Sequence, residues 1–436
     1  MLVQAPVRHP LPDPQRQGED WTPPRTPRRP WPVRLLDGGW RELRKMRTAI
    51  ILLVILAAMA MVGTLLPQIP QNPRGVMLYV LAHPVTSPWF ARLGLFDIFS
   101  SWLFIVVATL MYVSIGAGLY VRVPAAWRRT QQPELRTRAL WAEWASIVFH
   151  AAFFLLLIGV VYGKAAGFVG NAAIVEGDSF VEARANYDNL DEGLIARHSP
   201  GMEVRVDSFR ADYWPSGTPR AFVTRVRVYD QGRLVSTQDV RVNHYVAYRG
   251  VKLYQTGYGW APTVRIESPD GRVLTDAPTI FLGDVPFARG VIKAPSAGVP
   301  GQQLGATAWF IPDAQVNGDA IRPGTGELKN PLLLFRLYRG DLHLDRPQNV
   351  YSLDTTGMDL RWRGALRVGE TAVTPDGYRV TFSGVRQYSD LLIKKDPGVP
   401  IVFAAFAIGL AALLCSLYLP LLGREDRLPP LPELNS

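Results

Sequence analysis

The sequence predicts an integral membrane α-helical protein. Four transmembrane helices carry one large extracytoplasmic β-rich domain, an antiparallel sandwich or a partly open barrel. Three observations support this reading. Four apolar runs are each long enough to cross a hydrocarbon core. Arginine and lysine crowd the flanks of those runs on one side. Between the third and fourth runs, apolar and polar residues alternate with a period of two, and Pro-Asp-Gly turns interrupt them. The 436-residue chain is 48% hydrophobic with a net charge of +10. That average is ordinary for a soluble protein, so the clustering of apolar residues decides the class.

Residues 1–30 are rich in Pro, Arg and Gln and bury too little apolar surface to fold, which predicts a disordered cytoplasmic tail. Residues 31–47 intersperse Trp31, Leu35, Leu36, Trp40 and Leu43 with basic residues, the pattern of an amphipathic segment on the inner membrane surface. The first span is 48–66, free of charge throughout. Ala58-Met59-Ala60 spells a signal-peptidase site, but it falls in mid-run behind a tail far too long for a signal peptide, so the helix is expected to stay uncleaved. A loop opened by Pro67, Pro70 and Pro73 follows, with an interfacial helix expected over Val76 to Phe96. The second span is 101–121 and the third 142–162, separated by Arg122, Arg128, Arg129, Arg136 and Arg138.

Positive charge therefore puts the N-terminus and the 122–140 loop in the cytoplasm. Residues 164–398 then fall outside, 399–421 is the last span, and 422–436 is a cytoplasmic tail. Lys394 and Lys395 sit on the wrong side for the rule, which tolerates exceptions beside large translocated domains. In the outer region, Val226 and Val228 alternate with Arg225 and Arg227. Asp230-Gln231-Gly232 turns the chain and Leu234 to Val242 returns it. Val251 to Tyr254, Val264 to Ile266 and Tyr378 to Phe382 are further strands, with turns at Pro269-Asp270-Gly271 and Pro375-Asp376-Gly377.

The single cysteine, Cys415, lies inside the last apolar run. An intrachain disulfide, a CxxC redox pair and a thiolate zinc site are thereby excluded. The basic excess sits beside membrane runs and not on a recognition fold, so nucleic acid is not an expected partner. Of six histidines, only His150 lies inside a span. An ionisable residue there is a functional candidate by default, against the plainer reading of a neutral ring bonded to a neighbouring helix. It lies about 12 Å along its helix from Ala142, in the inner half of the bilayer. A neutral imidazole in an apolar slot suits a metal or a haem iron. No other span holds a histidine. A second axial ligand would come from Met59, Met61 or Met111 or, more simply, from a partner protein. His83 and His244 read as structural, and the aromatics Tyr245, Tyr248, Tyr254, Tyr258 and Trp260 as strand residues of a β core.

Several segments in order resemble the ResB family, also called CcsB, of the system II cytochrome c maturation apparatus. They are Met46-Arg47-Thr48-Ala49-Ile50 leading to Gly63-Thr64-Leu65-Leu66-Pro67-Gln68, Ser100-Ser101-Trp102-Leu103-Phe104, and Phe149-His150 followed by Leu155-Leu156-Leu157-Ile158-Gly159. Further on come Val206-Asp207-Ser208-Phe209, Tyr213-Trp214-Pro215-Ser216-Gly217-Thr218-Pro219, Val242-Asn243-His244 and Tyr248 to Gln255, then Lys395-Asp396-Pro397-Gly398-Val399-Pro400. The likeness covers most of residues 40–422. The loop 160–199 is less similar, and Tyr245 stands where a proline is expected.

The resemblance implies that the protein works with a ResC/CcsA-like membrane protein bearing a tryptophan-rich segment. Together they would carry haem b across the bacterial plasma membrane to the CxxCH cysteines of apocytochrome c. Thiol-reducing proteins would keep those cysteines reduced. This chain would be a non-catalytic or co-catalytic subunit of a haem lyase. The family's intramembrane histidine maps onto His150, which would bind the haem iron. A cofactor-free, membrane-tethered scaffold or receptor is the alternative, and a b-type electron carrier would need paired histidines that the spans lack.

Overall fold

The computed structural model describes residues 38–69, 71–215, 219–283, 287–297, 302–318, 320–345, 349 and 351–422. The tail expected at 1–30 lies outside them, as do the start of the amphipathic stretch and all but the first residue of the C-terminal tail. Helices α1 (Met46–Leu65), α2 (Pro73–Ala82), α3 (Ser87–Arg92), α4 (Trp102–Thr130), α5 (Arg138–Ala166) and α6 (Val399–Tyr418) are the α-helices that concern the fold. Four of them, α1, α4, α5 and α6, are long and apolar enough to cross a membrane.

The helix ends follow local chemistry. Asn72 caps α2 by accepting from the Gly75 amide at 2.7 Å, and Ser101 caps α4 by accepting from Phe104 at 3.2 Å. The interfacial helix expected over Val76 to Phe96 is two shorter ones, α2 and α3, broken at His83-Pro84 because proline disfavours a helical residue before it. Helix α4 continues nine residues past Val121, through Pro124 to Thr130, and α5 begins at Arg138. Charge ends an apolar run, but not the helix that contains it. Buried Gln68 joins the exit of α1 to the entry of α4. Its amide donates to the Leu95 carbonyl at 3.0 Å and its oxygen accepts from Ile98 at 3.0 Å.

The chain divides into two compact units, Met1–Ala151 with Gly409–Ser436, and Ala152–Ile408. The second holds the strands. In chain order they are β1 (Phe168–Val175), β2 (Ser179–Val181), β3 (Asn189–Glu192), β4 (Met202–Tyr213), β5 (Pro219–Asp230), β6 (Arg233–Arg241), β7 (Val246–Tyr248), β8 (Val251–Glu267) and β9 (Val273–Pro278). Then come β10 (Ala288–Ala294), β11 (Gln303–Ile311), β12 (Ala314–Asn317), β13 (Ala320–Pro323), β14 (Leu332–Gly340), β15 (Asp359–Arg367), β16 (Thr371–Val373) and β17 (Arg379–Lys395).

All pairings between these strands are antiparallel, and the sheets do not close into a barrel. A central sheet runs β3-β1-β17-β8-β7. Four-stranded sheets β2-β4-β5-β6 and β10-β11-β14-β15 make up most of the rest.

The 17-residue strands β8 and β17 serve two cores. Near one end Val251, Leu253, Leu391 and Ile393 pack with Val204, Val226 and Val240 of the first four-stranded sheet. Near the other Val264, Ile266, Val380 and Phe382 pack with Phe310, Leu333 and Phe335 of the second. The buried positions of β8 change from odd to even between these ends. The register shift beside Leu391 leaves Thr256 without a partner, which restores the facing.

Helices α5 and α6 meet where they join the sheet. A Cβ on Gly159 would lie 2.9 Å from a Val402 methyl, and one on Gly163 would lie 2.5 Å from the Asp396 carboxylate. A side chain on Gly398 would collide with the Gly159 carbonyl. Small residues at such a spacing let helix backbones touch. Replacing Gly398 by Leu should therefore cost about 1–3 kcal/mol or more through overpacking, read as a lower thermal midpoint in detergent. Gly118, with nothing within 4 Å of its added Cβ, is the control. Gly118→Ala should leave the midpoint unchanged or raise it, and equal losses from both changes would contradict this packing.

Candidate functional site

His150 lies on α5, half-buried, in the unit formed by residues 1–151 and 409–436. Its Nδ1 is 2.7 Å from the carbonyl oxygen of Ser146, one turn earlier. A carbonyl cannot donate, so Nδ1 carries the proton of the neutral ring. The lone pair is then on Nε2. Metal-binding histidines are commonly held this way, with one nitrogen giving its proton to a carbonyl and the other facing the metal. The Phe149 ring stands edge-on to the imidazole at 5.2 Å. The donor set therefore fits one axial position of a haem iron. Among the described residues no group of three or more His, Cys, Asp or Glu side chains is arranged to hold a metal.

The surroundings of His150 are more polar than the sequence suggested. Arg122 on α4 donates to the Ser146 hydroxyl at 3.1 Å. Arg129 pairs with Glu143 at 2.8 Å, with the two side chains 12% and 11% exposed. The Trp144 indole donates to the Thr130 hydroxyl at 2.9 Å. These contacts lock α4 to α5 in antiparallel order. The third span, 142–162, also holds an acid, Glu143. It is neutralised by Arg129, a pairing that compensates its desolvation. Arg122 differs. Among the described residues no carboxylate pairs with it, and its recorded partner is Ser146. Ser146 and His150 share a helix face about 6 Å apart along the axis. A guanidinium and an open imidazole nitrogen are therefore about one turn apart.

The other histidines have local roles. His83 stacks on Tyr79 at 4.3 Å with its Nδ1 3.0 Å from the Tyr79 carbonyl. His244 exchanges two backbone hydrogen bonds with Arg241. The five aromatics from Tyr245 to Trp260 do not form one surface. Trp260 enters the distal core, Tyr258 stacks on Phe209 at 5.0 Å, and Tyr245 meets Tyr254 at 5.1 Å.

A cluster that sequence reading missed surrounds His198. Its Nδ1 is 2.5 Å from Glu182 and its Nε2 2.7 Å from Glu192, while its ring stacks on Phe168 at 4.7 Å. Two carboxylate acceptors on one ring call for the doubly protonated imidazolium. Desolvation of the ring is the largest single influence and works against that charge. The hydrogen bonds and charges of Glu192 and Glu182 together outweigh it and raise the His198 pKa. No motif in the sequence announced the trio, although its members all lie between residues 182 and 198; the turn of the chain around β3 brings them onto one ring.

The fold defines a multi-pass membrane protein with a double-cored antiparallel β domain, with His150 on one of its long apolar helices. The ResB-like family pattern matches residues 46–140 and 135–421, and the chain belongs to that family. It is 26% identical over 281 residues to the cytochrome c biogenesis protein CcsB of Synechococcus sp. (strain JA-3-3Ab), covering 62% of this chain and 49% of that relative. The chain thus spans about half of that relative's length, and likewise 51% of the protein of that name from Synechococcus sp. (strain JA-2-3B'a(2-13)). The CcsB of Synechococcus sp. (strain RCC307) is 25% identical over 419 residues, covering 84% of this chain and 85% of that one.

The His198 clamp gives a pH prediction. A pKa raised on folding stabilises the fold fully below the ordinary histidine value of about 6.5, and that contribution is lost as pH rises through the folded value. The thermal midpoint of wild type should exceed that of His198→Gln most at pH 6, and the gap should shrink as pH is raised toward 9. A gap that stays constant or widens would show that the ring is not held as the imidazolium.

Proposed function

We propose that this chain is a subunit of a system II cytochrome c maturation complex. It would move haem b across the plasma membrane and present it for covalent attachment to apocytochrome c on the outer face. The observation that carries the reading is the open Nε2 of His150, fixed by the Ser146 carbonyl one turn from an unpaired arginine. Membership of the ResB-like family and the naming of similar proteins as cytochrome c biogenesis proteins support it.

In this reading His150 gives the iron one axial ligand, and the other comes from a ResC/CcsA-like membrane partner. Arg122 stands one turn toward the basic 122–140 segment and pairs with a carboxylate at the porphyrin edge. A guanidinium suits that task because it stays charged and offers a planar fork of donors. The basic 122–140 segment supports a cytoplasmic-side position for His150 and an outer one for the β domain. Iron bound through His150 would have its charge balanced by the porphyrin, which lowers the cost of its transit. The chain supplies no thiol chemistry, since Cys415 on α6 is its single cysteine. Reduction of the apocytochrome cysteines falls to separate thiol-reducing proteins.

The test is the visible spectrum of the chain purified with its partner in mild detergent. Wild type should show a Soret band with sharp α and β bands on reduction. His150→Ala should lose or shift them at equal yield, with partial recovery in added imidazole. Arg122→Gln should keep the bands but release haem to apomyoglobin about tenfold faster or more. A hydrogen bond to a charged group contributes about 1.5–3 kcal/mol. Arg122→Lys should fall in between. An unaltered spectrum in His150→Ala would remove His150 as the ligand and favour the cofactor-free scaffold.

A further inference from the structure

The outward face of the sheet β10-β11-β14-β15 carries an arrangement that folding alone does not account for. Arg336 on β14 and Arg363 on β15 are direct cross-strand partners. Like charges placed opposite one another destabilise a sheet. Both are exposed, and among the described residues neither has a carboxylate partner. Arg289 on β10 is likewise unpaired and opposes Trp309 on β11. The guanidinium carbons of Arg289 and Arg336 lie 5.7 and 5.2 Å from the Trp309 ring centroid. Phe287 and Leu334 complete an open depression of about 460 Å³ beside these groups. Phe287 is 47% exposed.

The depression borders a free sheet edge. Among the described residues β15 ends the sheet, with β14 as its one strand neighbour. Its residues 359, 361, 363, 365 and 367 are all exposed. An open edge presents unpaired backbone donors and acceptors that can take another strand. Arg361 pairs with Asp376 at 3.1 Å, so Arg363 and Arg367 are the cations of this edge that favour an acidic segment.

The bilayer is a poor occupant. Phe310, next to Trp309, packs on Phe382 at 6.2 Å. Phe382 lies thirteen residues before Lys395 on β17, about 40 Å along the strand from the entry into α6.

We propose that the β15 edge and the Arg289–Trp309–Arg336–Arg363 depression bind an extended acidic polypeptide segment of a partner protein. The segment adds as a strand to β15. Its carboxylates face Arg336 and Arg363, and an apolar side chain rests on Trp309 and Phe287. This inference does not depend on the haem reading.

The probe is a fluorescein-labelled peptide of alternating Glu and Val, about ten residues long so that it matches β15 and places its carboxylates on one face. Fluorescence anisotropy is read with the full chain in detergent. Wild type should bind saturably. Arg363→Glu should weaken binding at least tenfold while keeping or raising the thermal midpoint, because it replaces a repulsive cross-strand pair by an attractive one. Arg233→Glu on β6, the same charge change elsewhere on the domain, should leave binding within twofold of wild type. Methylating alternate peptide nitrogens should abolish binding if the segment pairs as a strand. No saturable binding to wild type, or equal binding by Arg363→Glu, would overturn the proposal. So would full binding by the methylated peptide, or a single-stranded oligonucleotide that binds more tightly and with the same Arg363 dependence.

Discussion

The close approach of α5 and α6 at Gly159, Gly163 and Gly398 is the constraint from which the β domain takes its form. These helices run directly into β1 and β17, the first and last strands. Once the helix backbones touch, the two strands emerge side by side and pair over eight residues, from Phe168 opposite Lys395 to Val175 opposite Tyr388. Chain segments separated by more than two hundred residues are thereby closed at the base. The loop-closure entropy of that long connection is offset by one helix contact and one ladder. No disulfide assists, because the chain has a single cysteine.

From that base β17 and β8 extend as one long antiparallel pair. The two cores hang on opposite ends of it, each completed by its own four-stranded sheet. Residues such as Phe382, Phe335 and Leu333 are fully or almost fully buried there. Each contributes about 1.5–3 kcal/mol of hydrophobic stabilisation. A polar cluster accompanies the apolar one at the centre. Buried Thr224 on β5 bonds both Gln255 and Ser389, at 2.5 and 2.7 Å, so β5 is tied to the long pair where apolar packing changes hands.

In the helices, charge is allotted differently at neighbouring levels. Arg129 and Glu143 neutralise each other and fasten α4 to α5. Arg122, on the same face of the same helix pair, is held among the described residues by a serine hydroxyl and by no carboxylate. A cation that is positioned but not neutralised keeps most of its capacity to pair with an incoming anion. In the proposed reading Arg122 stands about one turn from His150, where a carboxylate of the haem would meet it.

The sequence alone determined the membrane class, the four apolar helices, the antiparallel character of the strand-rich region and the singular position of His150. These properties are local. Length, hydropathy, period-two alternation and turn residues act through neighbours along the chain, and each can be read within a short window. Tertiary structure decided the rest. Val251 to Tyr254 and Val264 to Ile266 read as separate strands because the apolar parity reverses between them, and only the bulge at Thr256 makes them one. Arg122 read as the start of a loop because charge ends an apolar window, whereas the helix continues and delivers it to Ser146. The opposition of Arg336 to Arg363 and the contact of Gly398 with Gly159 join residues through register and helix packing. Such relations depend on which segments meet, and no local pattern encodes that.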